Sequence, residues 1–242
     1  MLTLLSFNIG STDEKLVSAL ALFLQNFNAD IVGLQECDWT YSKTAVDTLR
    51  QTLNLHYYAI GVSSGTLNHI LLLSRYPIEE CESFKSFRNA GLLVTIHTPA
   101  SLVSVAVVHL APTSEQTRVN EMSVLLKSLN SLSYDKVIMG DLNAIARHDP
   151  VKYDGVLTEP ILYDATSAIV SAGFTDVGNA TVKSFIPTVP VTQDVDVTYY
   201  NLRLDYIYVS ESLSRHQLTY KVIGNTDEYP HSDHRAIYVT ID

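Results

Sequence analysis

Little in this sequence is basic: 16 Lys and Arg stand against 26 Asp and Glu, giving a net charge of −10 and a pI near 5.1. That excludes a protein that coats nucleic acid nonspecifically, because such binding relies on Lys and Arg neutralising phosphates. It leaves room for an enzyme that meets phosphate through a bound cation. Cysteine is also scarce. Cys37 and Cys81 form no CxxC pair and read as buried thiols in a reducing compartment, a single disulfide being the alternative. Ten Gly and eight Pro are too few for a collagen-like or linker-dominated chain. No stretch reaches the roughly 18 apolar residues of a membrane span. The most apolar run, Leu102 to Ala111, is strand-sized and is interrupted by Ser104. The N-terminus lacks a basic region followed by an apolar core and a cleavage site. The expectation is a soluble intracellular protein, cytoplasmic or nuclear, with no stable membrane association.

What is present is hydrophobic. Apolar residues fill 46% of the 242 positions and charged ones only 17%, which excludes intrinsic disorder. A chain of this length buries roughly 70% of its unfolded surface and needs no disulfide or metal to hold it together. No linker or low-complexity tract divides it, so residues 1–242 read as one domain, expected to act as a monomer.

Leu2 to Ile9 reads as a buried strand, followed by Ser11-Thr12-Asp13-Glu14, the pattern of a capping box with Ser11 as the cap. Leu16, Leu20, Phe23, Leu24 and Phe27 carry helical spacing, and Asp30 to Gln35 is again strand-like, ending in Glu36. Strand, helix and strand make a βαβ unit. Ala45, Leu49, Thr52 and Leu53 mark a second helix. Then come short runs with little helix between them: His56–Gly61, His69–Ser74, Ile78–Phe87, Gly91–His97 and Leu102–Leu110. Such a series suggests antiparallel pairing. Ser114 to Leu132 and Pro160 to Ala172 are expected to be helical, the latter with Ile161, Leu162, Ala165 and Ile169 inward. Lys136–Gly140, Leu202–Ser210 and Arg235–Ile241 are expected strands. Ser184 to Asn201 reads as a long loop, and long loops in compact domains are often functional. Asp30–Glu36 and Lys136–Asn143 both end an apolar strand in an acid, which suggests an internal duplication.

The polar residues fall at the ends of these apolar runs. Asn8 comes late in the first, Glu36 ends the second and His109 ends Val107-Val108-His109. Asp141 and Asn143 follow Val137-Ile138-Met139-Gly140, Asp205 lies inside Leu204-Asp205-Tyr206-Ile207, and Ser232-Asp233-His234 precedes the last strand. A buried carboxylate is costly unless paired or metal-bound, and strand ends on one side of a sheet converge. The economical reading is one cluster, with carboxylates for a hard cation and amides and imidazoles for an anionic substrate. Each residue also has a plainer reading. Asn8 suits a turn, His109 a satisfied core histidine, and Asp154, Asp164 and Asp176 the surface or a cap. His231-x-x-His234 is half a zinc site whose other ligands are missing. Tyr199 and Tyr200 could stack on a base or simply pack their loop.

Phe7-Asn8-Ile9, Leu34-Gln35-Glu36, Gly140-Asp141-Leu142-Asn143, Arg203-Leu204-Asp205-Tyr206-Ile207 and Ser232-Asp233-His234 occur in the order found in the endonuclease/exonuclease/phosphatase superfamily. Leu73-Ser74-Arg75-Tyr76-Pro77-Ile78 and His109 resemble it too, so the likeness spans essentially the whole chain. The resemblance implies an α/β (α+β) fold, a four-layer αββα sandwich with two central mixed, largely antiparallel sheets. It implies a hydrolase that cleaves a phosphoester with Mg²⁺, for which Mn²⁺ can substitute. Carried over by position, Glu36 resembles the principal metal ligand, with Asn8 and Asp233 beside it. Asp141 resembles the group that orients or deprotonates the attacking water, and Asn143 one that binds a phosphate oxygen. Asp205 and His234 resemble a carboxylate–imidazole pair, and His109 would stabilise charge developing on the phosphate. Whether Asp141 or His234 is the base stays open. Arg118 is a further candidate for the phosphate, with a salt bridge as the alternative reading for it and for Arg75.

The family's inositol phosphatases carry a Pro-Ala-Trp-Cys-Asp-Arg-like segment where this chain has Tyr200-Asn201-Leu202-Arg203-Leu204-Asp205, which discounts that branch. His109-x-Ala111-Pro112 resembles the deoxyribonuclease I and sphingomyelinase style of site. The expected substrate is a nucleic-acid or nucleotide phosphodiester, the alternative a small-molecule or lipid-headgroup phosphoester. A catalytically silent binding module is the remote third. The segments 147–159 and 185–201 are the candidates for choosing substrate.

Overall fold

The structure, a computed structural model, describes residues 1–10, 13–66, 68–150, 152–153, 161–189, 199–200, 202–224 and 231–242. The chain opens with β1 (Leu2–Asn8), α1 (Val17–Gln25), β2 (Ile31–Gln35), α2 (Lys43–Leu53), β3 (Tyr57–Gly61) and β4 (Ile70–Ser74). It continues with β5 (Ile78–Ser83), β6 (Ala90–His97), β7 (Leu102–His109), α3 (Glu115–Asn130) and β8 (Asp135–Asp141). The last third holds β9 (Lys152–Tyr153), α4 (Asp164–Ser171), β10 (Phe174–Asp176), α5 (Val177–Thr181) and β11 (Tyr199–Tyr200). β12 (Asp205–Ser210), α6 (Glu211–Ser214), β13 (Leu218–Val222) and β14 (Ile237–Ile241) complete it. Ser42 and Ser114 cap α2 and α3, accepting from the amides of Ala45 and Thr117.

Two six-stranded sheets result, ordered β13-β14-β1-β2-β4-β3 and β10-β12-β8-β7-β6-β5. Each has one parallel pair at its centre, β1–β2 bridged by α1 and β7–β8 bridged by α3. All other pairings within them are antiparallel. The order β1-α1-β2-α2-β3-β4 recurs as β7-α3-β8-α4-β10-β12, with β9 inserted after β8 and α5 and β11 before the last strand. This repetition puts Glu36 and Asp141 at matching strand ends.

Strand alternation builds four layers. Leu4, Ile31, Leu72, Leu92, Val107, Met139, Ile207 and Val239 face the interior between the sheets. Leu5, Phe7, Val32 and Leu34 face α1 and α2 on one outer side. Val108, Ile138, Tyr206 and Tyr208 face α3 and α4 on the other. Strands buried on both faces lose the polar half of the period-two pattern, hence the continuous apolar runs. Gly33 lets the sheets close: a Cβ there would stand 2.8 Å from the Met139 methyl. No helix among the described residues is long and apolar enough to cross a membrane.

Several local expectations are corrected. Asp13 caps the first turn by accepting from the Lys15 amide, and Glu14 accepts from the Ser42 hydroxyl. Ser11 itself lies outside the described residues. Both cysteines are free, Cys37 buried but Cys81 exposed on the edge strand β5. α4 starts at Asp164, leaving Leu162 in the preceding coil and about half exposed. Asp176 is buried rather than on the surface, though it does cap α5, accepting from the Asn179 amide. Asp154, residues 190–198 and Asn201 lie outside the described residues, and of Tyr199 and Tyr200 only the backbone pairing with β9 is described.

Candidate active site

Antiparallel and parallel neighbours together bring six polar residues to one end of the sandwich. Asn8 is the last residue of β1, and Glu36 directly follows β2, its parallel partner. His109 and Asp141 end the parallel pair β7 and β8 in register with each other. β12 runs against β8, so its first residue, Asp205, stands opposite Asp141. β14 runs against β1, which delivers His234 to the same end. The Ser232 hydroxyl donates to the Asn8 carbonyl at 2.7 Å and accepts from the His234 amide at 3.0 Å, fastening that turn to β1.

The side chains form one network. The Asn8 Nδ2 group donates to Glu36 Oε1 and to Asp141 Oδ2, both at 3.0 Å. Its Oδ1 accepts from the Gly10 amide at 3.0 Å, which fixes the amide so that its donor side faces the acids. Asp141 also accepts from the Asn143 amide at 2.8 Å. His109 Nε2 lies 3.6 Å from Asp141 Oδ2 and 3.8 Å from Glu36 Oε1. His234 Nε2 lies 3.7 Å from the same Asp141 oxygen, and its Nδ1 meets Asp205 Oδ2 at 2.9 Å. Asp141 and Asp205 are buried, whereas the Glu36 side chain keeps 23% of its exposure.

The backbone is bent to achieve this. Glu36 and Asn143 have φ of +62° and +46°, in the left-handed region that side chains other than glycine seldom adopt. Such positions cost about 1–3 kcal/mol and gather at functional sites. Gly140, at φ +137°, has no alternative: a Cβ would fall 2.0 Å from the Val108 carbonyl oxygen.

Burial pushes the His234 imidazole down, but the charges of Asp205 and Asp141 outweigh it and its pKa is pushed up to about 10. Burial holds the Asp205 carboxyl above the usual carboxylate range, with His234 pulling the other way. The pair therefore carries a proton on the imidazole at neutral pH. Thr188, in the long loop, supports Asp205 by accepting from the amides of Leu204 and Asp205.

The donor set suits a hard divalent cation. Asp141, Asp205 and His234 offer ligand atoms within 4.8 Å of one another, Glu36 adjoins them through Asn8, and Asp205 Oδ1 is buried without a partner. Mg²⁺ prefers carboxylate oxygens and retained water, which the partly open Glu36 provides for.

Two expected residues stand apart. Asp233 is exposed, and its charge helps to raise the His234 pKa. The Arg118 guanidinium is held by Glu115 at 2.8 Å and by the carbonyls of Ala111 and Pro112, so the salt-bridge reading replaces the phosphate one. Arg75 likewise pairs with Asp30 at 2.9 Å. Sequence reasoning missed Thr188, Asn89 and Glu121, which carry no local signal. It also missed the partners of Arg203, a buried guanidinium that binds Asp149 at 2.9 Å and Asp176 at 2.6 Å just before Asp205.

The sequence profile of the Endonuclease/Exonuclease/phosphatase family matches residues 5–234. No curated protein sequence matches the chain. Solved structures do. An endonuclease/exonuclease/phosphatase family protein from Leptotrichia buccalis C-1013-b superposes with TM-score 0.73 at 19% identity, covering 100% of both chains. Bacteroides thetaiotaomicron VPI-5482 mannosyl-6-phosphatase Bt3783 gives 0.72 at 16% identity, again over 100% of both. TDP2 from D. rerio, complexed with a single-strand DNA product, gives 0.72 at 19% identity over 100% of this chain and 98% of that one. These likenesses are of fold.

Proposed function

The chain belongs to the endonuclease/exonuclease/phosphatase family, and on that premise we propose that it is a divalent-metal-dependent hydrolase of a nucleic-acid or nucleotide phosphodiester. The observation that carries the reading is the single network joining Asn8, Glu36, His109, Asp141, Asp205 and His234. We take residues 1–242 as one domain acting as a monomer. Its two free cysteines support a reducing, intracellular setting, cytoplasmic or nuclear.

Glu36 would hold the cation, Mg²⁺ with Mn²⁺ as substitute, while Asn8 ties its carboxylate to Asp141. When bound, the cation neutralises charge on the phosphate. Asp141 orients a water for in-line attack on phosphorus and takes its proton as the new P–O bond forms and the bond to the leaving oxygen breaks. His234, already protonated through Asp205, fits a donor to a phosphate oxygen better than a base. His109 and the Asn143 side-chain amide would donate to the other oxygens and stabilise the charge that develops there.

The nucleotide reading draws support from the DNA product recorded with the D. rerio relative. One observation favours the second reading, a small-molecule or lipid-headgroup phosphoester: the chain carries a net charge of −10, which repels a polyanion. A hydrolysis panel separates them. It holds single- and double-stranded DNA, RNA, a 5′-tyrosyl oligonucleotide, a sugar phosphate and sphingomyelin, each with Mg²⁺ and with EDTA. Magnesium-dependent cleavage confined to oligonucleotides is the expected result. Cleavage confined to the sugar phosphate or sphingomyelin would replace it with the second reading.

A further inference from the structure

We propose that Asn89 and Glu121 are positioning residues that set His109 and Asn143 for reaction, an inference that rests on the hydrolase reading above. Asn89 is 2% exposed and immediately precedes β6, whose first residue, Ala90, is the register partner of His109. Its Nδ2 group donates to the Leu110 carbonyl at 3.2 Å, and the Asn143 Nδ2 group donates to the same carbonyl at 3.0 Å. A carbonyl oxygen only accepts and has two lone pairs, so both are taken and both amides are fixed with nitrogen towards Leu110. Asn143 keeps a second N–H for a phosphate oxygen. At the other end of Asn89, Oδ1 accepts from Asn68 at 3.4 Å.

Glu121 closes the clamp from α3. It is 3% exposed, and its two oxygens accept from the amides of Arg88 at 2.7 Å and Ala111 at 2.9 Å. One buried carboxylate thus ties the residue before Asn89 to the residue after Leu110. Burial pushes this carboxyl up, against the pull of those two amides and of His109 and Arg118. Removing one clamp partner loosens the Leu110–Ala111 peptide, which lets His109 shift on one side and Asn143 across the gap.

The test compares wild type with Asn89→Asp, Asn89→Ala and Glu121→Gln, each checked for native near-UV circular dichroism. One readout needs no activity: hydrogen exchange of the Asn143 side-chain amide by ¹⁵N NMR in EDTA. The other is kcat and KM on bis-p-nitrophenyl phosphate with Mg²⁺. The expected result is faster exchange and a fall of roughly tenfold to a hundredfold in kcat/KM. In Asn89→Asp the loss relative to wild type should shrink as pH falls, because a protonated carboxyl can again donate to Leu110; in Asn89→Ala it should stay flat. Unchanged Asn143 exchange in folded variants overturns the proposal. So does a loss in Asn89→Asp that ignores pH, which is what a merely structural role gives. A wild type that hydrolyses nothing removes the hydrolase reading instead, and the exchange readout still decides whether Asn89 holds Asn143. Asn89→Asp, the isosteric change, keeps the test if Asn89→Ala does not fold.

Discussion

At the scale of the residue, the assignment of roles turns on where the proton sits. Asp205 lies 2.9 Å from His234 Nδ1 and Asp141 lies 3.7 Å from Nε2, so the ring is flanked by carboxylates on both sides. That arrangement makes His234 a donor and leaves Asp141 as the acceptor for the water's proton. Asp141→Asn should therefore lower kcat by roughly 10²–10⁴ while KM moves little, the pattern of a lost proton acceptor. An equal loss in kcat and affinity would mark Asp141 as mainly structural. In EDTA the His234 ring should titrate near 10 by proton NMR, and in Asp205→Asn it should fall towards its ordinary value of 6.5. A ring that titrates near 6.5 in the wild type would return His234 to candidacy as the base. These residues were legible in the sequence for a physical reason: a carboxylate inside an apolar run is too costly to be accidental. Asn89, Glu121 and Thr188 carry no such mark. An amide before a strand, a hydroxyl in a loop or an acid in a helix that carries other charges is ordinary, and the partners lie many residues away.

At the scale of the element, the strands with continuous apolar runs were readable, because burial on both faces leaves nothing polar to confuse. β10 and β13 were not. They are short edge strands, and β13 is half exposed, so hydrophobic periodicity hardly registers. Arg203 shows the same limit. As part of an Arg-Leu-Asp strand motif it drew notice, but its partners Asp149 and Asp176 come from other segments. Its guanidinium also stands 4.5 Å from the centre of the Tyr206 ring. Arg203→Ala strands two buried carboxylates, and the expected loss is about 3–5 kcal/mol by urea unfolding. A loss below about 1 kcal/mol would mean the acids find water or other partners.

At the scale of the whole molecule, two six-stranded sheets with the same pattern of directions meet at one polar end. The suggestion of a repeat, drawn from two apolar strands each ending in an acid, matches β2 and β8 in that pattern. Stability should carry the signature of the buried acids. Burial alone would raise the Asp176 carboxyl, but the hydrogen bond with His148 and the Arg203 charge hold it below its ordinary 3.8. A carboxyl depressed by folding stabilises fully above its unfolded value and loses that contribution as pH falls through the folded one. The urea midpoint should therefore drop as pH falls below about 4, and by less in Asp176→Asn. An equal acid drop in both proteins would place the titrating group elsewhere.

The central claim is that the strand-end network is one metal-dependent phosphoester site. The measurement that tests it most directly is the rate of bis-p-nitrophenyl phosphate hydrolysis by wild type, Glu36→Gln and Asp141→Asn across a Mg²⁺ titration, with EDTA as the zero point. The account predicts turnover that rises with Mg²⁺ and vanishes in EDTA. It also predicts a titration curve displaced to higher Mg²⁺ in Glu36→Gln, and near silence in Asp141→Asn. Wild-type turnover that ignores both Mg²⁺ and EDTA, or a Glu36→Gln curve that overlays the wild type, would contradict it.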